Sequence, residues 1–110
     1  MYVVRQMSEE QVSDIFAAVG HPNRLAILCC LAPHSQGEDS GGLPAGEIAR
    51  RLEMAPATLS FHLKELSRNN ILSSNRKGRH VFYRVDIPAL LEALEFMVNN
   101  VCEAASSEAR

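Results

Sequence analysis

Met54-Ala55-Pro56-Ala57-Thr58-Leu59-Ser60-Phe61-His62-Leu63-Lys64-Glu65-Leu66-Ser67-Arg68-Asn69-Asn70 reads as one helix with two unlike faces. Pro56 suits the first helical position, where its missing N–H is not needed, and Asn69-Asn70 supplies a stop. At about 100° per residue, Leu59, Leu63 and Leu66 share a narrow arc, while Ala57, Phe61, Lys64 and Arg68 project from the opposite side. One face is core and the other meets a partner. Thr58, Ser60 and His62 flank the arc with hydroxyls and a ring nitrogen able to donate to phosphate or base edges.

Immediately upstream, residues 44–52 form a short helix with Ile48, Ala49 and Leu52 inward and Glu47, Arg50 and Arg51 outward. Glu53-Met54-Ala55 then makes a tight connection. Helix, short turn and helix over about 44–69 is the helix-turn-helix pattern. Downstream the period changes, and two runs over about 71–85 flank Gly78, the second rich in β-branched and aromatic residues. They predict a two-stranded hairpin, a wing. Its tip carries Arg76, Lys77, Arg79 and His80, costly in a core but suited to gripping a phosphate backbone.

Asp86 caps a long terminal helix over about 86–104, with Pro88 in its first turn. Its stripe of Leu90, Leu91, Leu94, Met97, Val98, Val101 and Cys102 exceeds what one small domain can cover. It is expected to pack, with a first helix over about 9–19, against the same helices of a second subunit by two-fold symmetry. That first helix opens on the capping-box pair Ser8 and Gln11 and places Val12, Ile15, Phe16 and Val19 inward. Gly20 ends it, and Pro22-Asn23-Arg24 opens a second helix whose broad apolar surface, Leu25 to Leu31, implies deep burial. Residues 34–43 lack an apolar period and read as a mobile loop, and Glu103 to Arg110 should fray.

A chain of 110 residues is expected to be one domain, 1–110, with a modest core that dimerisation would help to stabilise. The apolar content of 46% excludes a wholly disordered chain, and no apolar run reaches a membrane span of about 20 residues. Arg5 has no apolar stretch behind it to direct export, so the cytoplasm is the expected location and no membrane partner is foreseen. The net charge of −2 conceals a segregation. From Lys64 to Arg84 six basic residues face one acid, whereas from Val85 to Arg110 five acids face one arginine. A basic surface on an acidic body is what docking on nucleic acid requires.

Three motifs, His21-Pro22-Asn23-Arg24-Leu25-Ala26-Ile27-Leu28, Leu59-Ser60-Phe61-His62-Leu63-Lys64-Glu65-Leu66 and Gly78-Arg79-His80-Val81-Phe82-Tyr83-Arg84-Val85, stand in this order across residues 9 to 104. Together they resemble the ArsR/SmtB family of winged-helix repressors. The resemblance implies a mainly α winged helix-turn-helix with a two-stranded β-hairpin wing, a homodimer that binds double-stranded operator DNA until an inducer lowers its affinity. The DNA-binding residues implied are Ala57, Thr58, Ser60, Phe61, His62, Lys64 and Arg68 of the helix and Arg76, Lys77, Arg79 and His80 of the wing. Family members often carry a basic residue where Phe61 stands; an aromatic ring there can meet a thymine methyl.

Two common sensor sites of that family are absent. A Cys-x-Cys on the first helix of the helix-turn-helix is replaced by Pro44-Ala45-Gly46-Glu47-Ile48, and no His follows His80. The remaining candidates are Cys29, Cys30 and Cys102, the only cysteines. Three thiols suit a soft three-coordinate centre, so As(III) or Sb(III) is the expected inducer and no organic cofactor is foreseen. The alternative is a dithiol redox or persulfide sensor using Cys29 and Cys102, which does not need Cys30. As buried small hydrophobes the three could equally be core. A Cys-nucleophile enzyme with His62 or His80 as base lacks an oxyanion-hole signature, a Gly-rich loop and a cleft, so no catalytic residue is assigned.

Overall fold

The computed structural model describes residues 7–108. The readings made above at Arg5 and Arg110 lie outside them. Helix α1 (Glu9–Val19) begins on the expected capping box: the Ser8 hydroxyl accepts from the Gln11 amide while the Gln11 side chain accepts from the Ser8 amide. Helix α2 (Pro22–Leu31) follows, its first turn capped by His21, whose Nδ1 accepts from the Asn23 amide at 3.1 Å. Ile27, Leu28 and Leu31 are buried. Leu25 is 52% exposed, however, and Cys29, one turn further along, is exposed too. The all-round burial expected of α2 is thus corrected: positions 25 and 29, four apart, form an open strip that no element among the described residues covers.

The segment 34–43 is more ordered than a loop. Two short 3₁₀ turns, Ala32–His34 and Gly37–Asp39, lead into strand β1 (Leu43–Pro44). It pairs antiparallel with β3 (His80–Val85), Leu43 opposite Tyr83, and β3 in turn pairs with β2 (Leu72–Lys77). The predicted two-stranded wing is present as the β2–β3 hairpin, and β1 adds a third strand to give the order β1-β3-β2. Two residues are too few to show a strand period, and Pro44 is tolerated because β1 is an edge.

Helix α3 (Ala45–Leu52) ends at Glu53, which takes the left-handed conformation with φ 50° and turns the chain into α4 (Pro56–Arg68). Leu59, Leu63 and Leu66 of α4 are buried together with Ile48 of α3, Ile71, Leu72 and Val85, forming the core that fixes the angle of the helix pair. Buried Ser35 joins α2 to the sheet: its hydroxyl donates to the Leu31 carbonyl at 2.7 Å and accepts from the Val85 amide at 2.9 Å.

The Asp86 carboxylate accepts from the Ala89 amide and opens helix α5 (Ile87–Met97). A π turn at Val98–Cys102 and a last helix α6 (Glu103–Glu108) continue it, so helix persists where fraying was expected. Leu91, Leu94, Met97, Val98 and Val101 are all exposed. Among the described residues nothing covers this stripe.

Candidate nucleic-acid interface and thiol set

The burial of Leu59, Leu63 and Leu66 dictates which α4 side chains face outward. Ala57, Thr58, Ser60, Phe61, Lys64 and Arg68 are exposed, as the helical period requires. Across a cleft of about 340 Å3, Ser60 and Lys64 of α4 look toward Ser74 and Tyr83 of the sheet, with Ala49 and Pro56 in its walls. Helix face and wing thus border one groove. Lys64 makes no ion pair among the described residues, whereas Arg68 is held by Glu65 at 2.6 Å.

The wing residues Arg76, Lys77, Arg79 and His80 are likewise exposed. The strand register sets Lys77 opposite His80 and Asn75 opposite Phe82, on one face. The Lys77 ammonium lies 5.4 Å from the Phe82 ring centroid, and the His80 ring meets the same ring edge-on at 6.5 Å. The aromatic ring therefore orders two of the tip's long or titratable side chains. Arg76 pairs with Val81 and points to the opposite face.

His62 corrects the sequence reading. Its side chain is 5% exposed, and its Nδ1 is taken by Arg24, whose Nε donates at 3.1 Å. A ring so buried and so engaged is withdrawn from direct contact with a nucleic acid. Burial, then His21, then Arg24 push its pKa below the ordinary histidine value. Arg24 was outside the predicted interface. Its partner lies 38 positions away, so no local pattern could have announced the contact.

Helix α3 adds charge that the predicted set also omitted. Glu47 accepts from Arg50 at 2.5 Å and from Arg51 at 2.8 Å. Those hydrogen bonds, Arg50's first and Arg51's second, hold its carboxyl down at about 2. Arg51 also approaches His34 Nε2 at 3.3 Å. Each arginine remains exposed, and their outward position on the first helix of the pair was the available signal.

The three cysteines do not converge. Cys29 and Cys102 are exposed, Cys30 is half-buried against the core, and all are free thiols. Among the described residues of one chain, no three His, Cys, Asp or Glu side chains are placed to hold a metal ion. Cys102 closes the π turn directly after exposed Val101.

A helix pair crossing a shared core, its second member exposed toward a sheet with a basic tip, defines the class: a winged helix-turn-helix protein. The sequence model of the helix-turn-helix domain family matches residues 19–74. The transcriptional repressor SdpR of Bacillus subtilis is 27% identical over 88 residues, covering 80% of this chain and 90% of that protein. An ArsR-like transcriptional regulator from Rhodococcus sp. RHA1 superposes with a TM-score of 0.78 at 22% identity, over 91% of this chain and 88% of that one. The homodimeric winged helix-turn-helix DNA-binding domain of Mb0332 from Mycobacterium bovis, a possible ArsR-family regulator, gives 0.63 at 26% identity, over 86% and 88% of the two chains. The chain belongs to this helix-turn-helix family and is a winged-helix regulator of the ArsR/SmtB type. The relatives it matches are transcriptional regulators, and it is a regulator of that type.

Proposed function

We propose that the protein is a homodimeric, intracellular repressor that binds double-stranded operator DNA and is released when an inducer engages its cysteine thiols. The observation that carries DNA binding is the shared groove: Ser60 and Lys64 of α4 look across it at the wing, whose tip is cationic. The exposed stripe Leu91–Val101 supports dimerisation, since leaving five large apolar side chains in water is unfavourable. Pairing through it also brings Cys102 to the interface.

The inducer is As(III) or Sb(III), because thiolates select soft ions. Cys29, Cys30 and Cys102 are its candidate ligands, and their separation within one chain requires the second copy to complete the set. One observation favours a second reading. Cys30 packs against the core while Cys29 and Cys102 face solvent, the division of roles that a two-thiol sensor would show. In that reading Cys29 and Cys102 couple by giving two electrons and two protons to an oxidant, or each takes a sulfur from one of two persulfide molecules, which leave as thiols, and the two cysteine persulfides close to a trisulfide with loss of hydrogen sulfide.

Titrating As(III) against the reduced dimer on its operator fragment tests the first reading, with Cys29→Ser, Cys30→Ser and Cys102→Ser as comparisons. Release by about 5–150-fold, abolished by each substitution, is expected of a three-thiol site. DNA binding unchanged at saturating metalloid overturns it. Release by peroxide or persulfide that survives Cys30→Ser but not Cys29→Ser supports the second.

A further inference from the structure

The side chains around His62 form a junction between α2 and the outward face of α4. Besides its bond to His62, Arg24 donates from Nη1 to the Ala18 carbonyl at the end of α1, at 3.4 Å. Its guanidinium carbon sits 5.8 Å from the centroid of the Phe61 ring, which is 56% exposed on the interface side. Phe61 meets the His62 ring edge-on at 5.5 Å, and His21 lies against His62 at 4.7 Å between centroids. One arginine thus holds the ends of two helices, a buried histidine and an aromatic side chain on the reading surface.

The chemistry fixes the protonation state of this junction. Arginine Nε has only a hydrogen to give, so Nδ1 of His62 must be bare and its single proton must sit on Nε2. A second proton on His62 removes the acceptor and sets a positive ring against a permanent guanidinium. The groups bearing on the ring, His21 and Arg24 of the α2 end, both disfavour that proton. The end of α1 contributes a carbonyl only, and Glu65, one turn along α4, is engaged by Arg68.

We propose that Arg24 is a positioning residue for DNA recognition: it clamps α4 to α2 through bare Nδ1 of His62 and fixes the Phe61 ring toward DNA, so that specific affinity falls when His62 takes a second proton. The inference rests on the DNA-binding reading. It gives Phe61, otherwise a mobile exposed side chain, a fixed attitude from which to meet an apolar base edge such as a thymine methyl. Because the fold disfavours the protonated ring, the clamp is intact above the ordinary histidine value of 6.5 and opens as pH falls below it.

The test uses the duplex that the full-length protein enriches from a random-sequence library at about pH 7.5, at fixed ionic strength. All proteins carry His80→Gln, so that the exposed wing tip presents no second imidazole to the DNA. Because the His62 pKa lies below the ordinary value of 6.5, the parent is expected to lose affinity for the selected duplex by less than the roughly tenfold an unshifted histidine would give on acidification by about two pH units, with the loss steepening as pH falls further. His62→Gln, whose amide oxygen still accepts from Arg24, flattens that profile. Arg24→Lys, which keeps the charge but not the planar donor, weakens the selected duplex several-fold and leaves a sequence-neutral duplex unchanged. A His62→Gln profile parallel to the parent's overturns the proposal, as does Arg24→Lys weakening both duplexes equally. If His62→Gln fails to fold by circular dichroism, the pH profile of Arg24→Lys decides: flat supports the clamp, and parallel to the parent overturns it. Enrichment of no duplex at all instead defeats the DNA-binding reading, and the proposal with it.

Discussion

At Gly42 the backbone runs at φ +79°, and a β-carbon there would overlap the Tyr83 carbonyl oxygen. The close approach lets the chain enter β1 beside β3, where Leu43 then becomes buried. Ala at this position must both adopt a left-handed backbone and push a strand aside. Gly42→Ala is expected to destabilise by about 1–3 kcal/mol, read as a lower denaturant midpoint at unchanged slope. At the same scale, His62 shows what polarity conceals. Its place beside Leu63, between Leu59 and Leu66, is compatible with burial, but a ring nitrogen flanking the leucine arc of a nucleic-acid-facing helix suggested contact with phosphate or base edges. Only the contact with Arg24 reveals the choice.

The wing acts as an element because β2 and β3 stay paired out to Lys77 and His80. If Arg76, Lys77 and Arg79 each neutralise a phosphate, replacing all three with Ala lowers the slope of log affinity against log salt by about 0.9 per contact, or roughly 2.7 per wing. Titrations at several salt concentrations measure this, and an unchanged slope means that the tip does not touch DNA. Elements with a strong period or a cap were legible beforehand: α1 through Ser8 and Gln11, α4 through its leucines, and α5 through Asp86. Strand β1 was not, because two residues carry no period and their partner lies about 40 positions away. The α2 surface misled for a related reason. Apolar side chains at Leu25 and Cys29 look like core in a list of residues, whereas the helix has only one side to bury.

For the whole molecule, the uncovered stripe of α5 and the π turn is the largest imbalance, since the core beneath it is already closed by Ala93. Leu94→Glu with Val101→Glu is expected to halve the mass in light scattering after size exclusion, and to weaken operator binding by removing one of two linked half-site contacts. A protein that stays dimeric despite both charges must pair elsewhere. The molecule's candidate site was legible only in parts: residue types and their elements could be named, but the separation of Cys29, Cys30 and Cys102 depends on how the helices are arranged in space.

Ser35 ties these scales together. Its hydroxyl is bonded at once to the last turn of the helix that carries Cys29 and Cys30 and to the amide at the root of the wing. That amide can exchange its hydrogen with solvent only when the junction opens. The exchange rate of Val85 N–H is therefore a single-atom reporter of whether an event at the thiols is felt where the wing begins. A change there without a change in the β2–β3 ladder would locate the response at the joint rather than in the sheet.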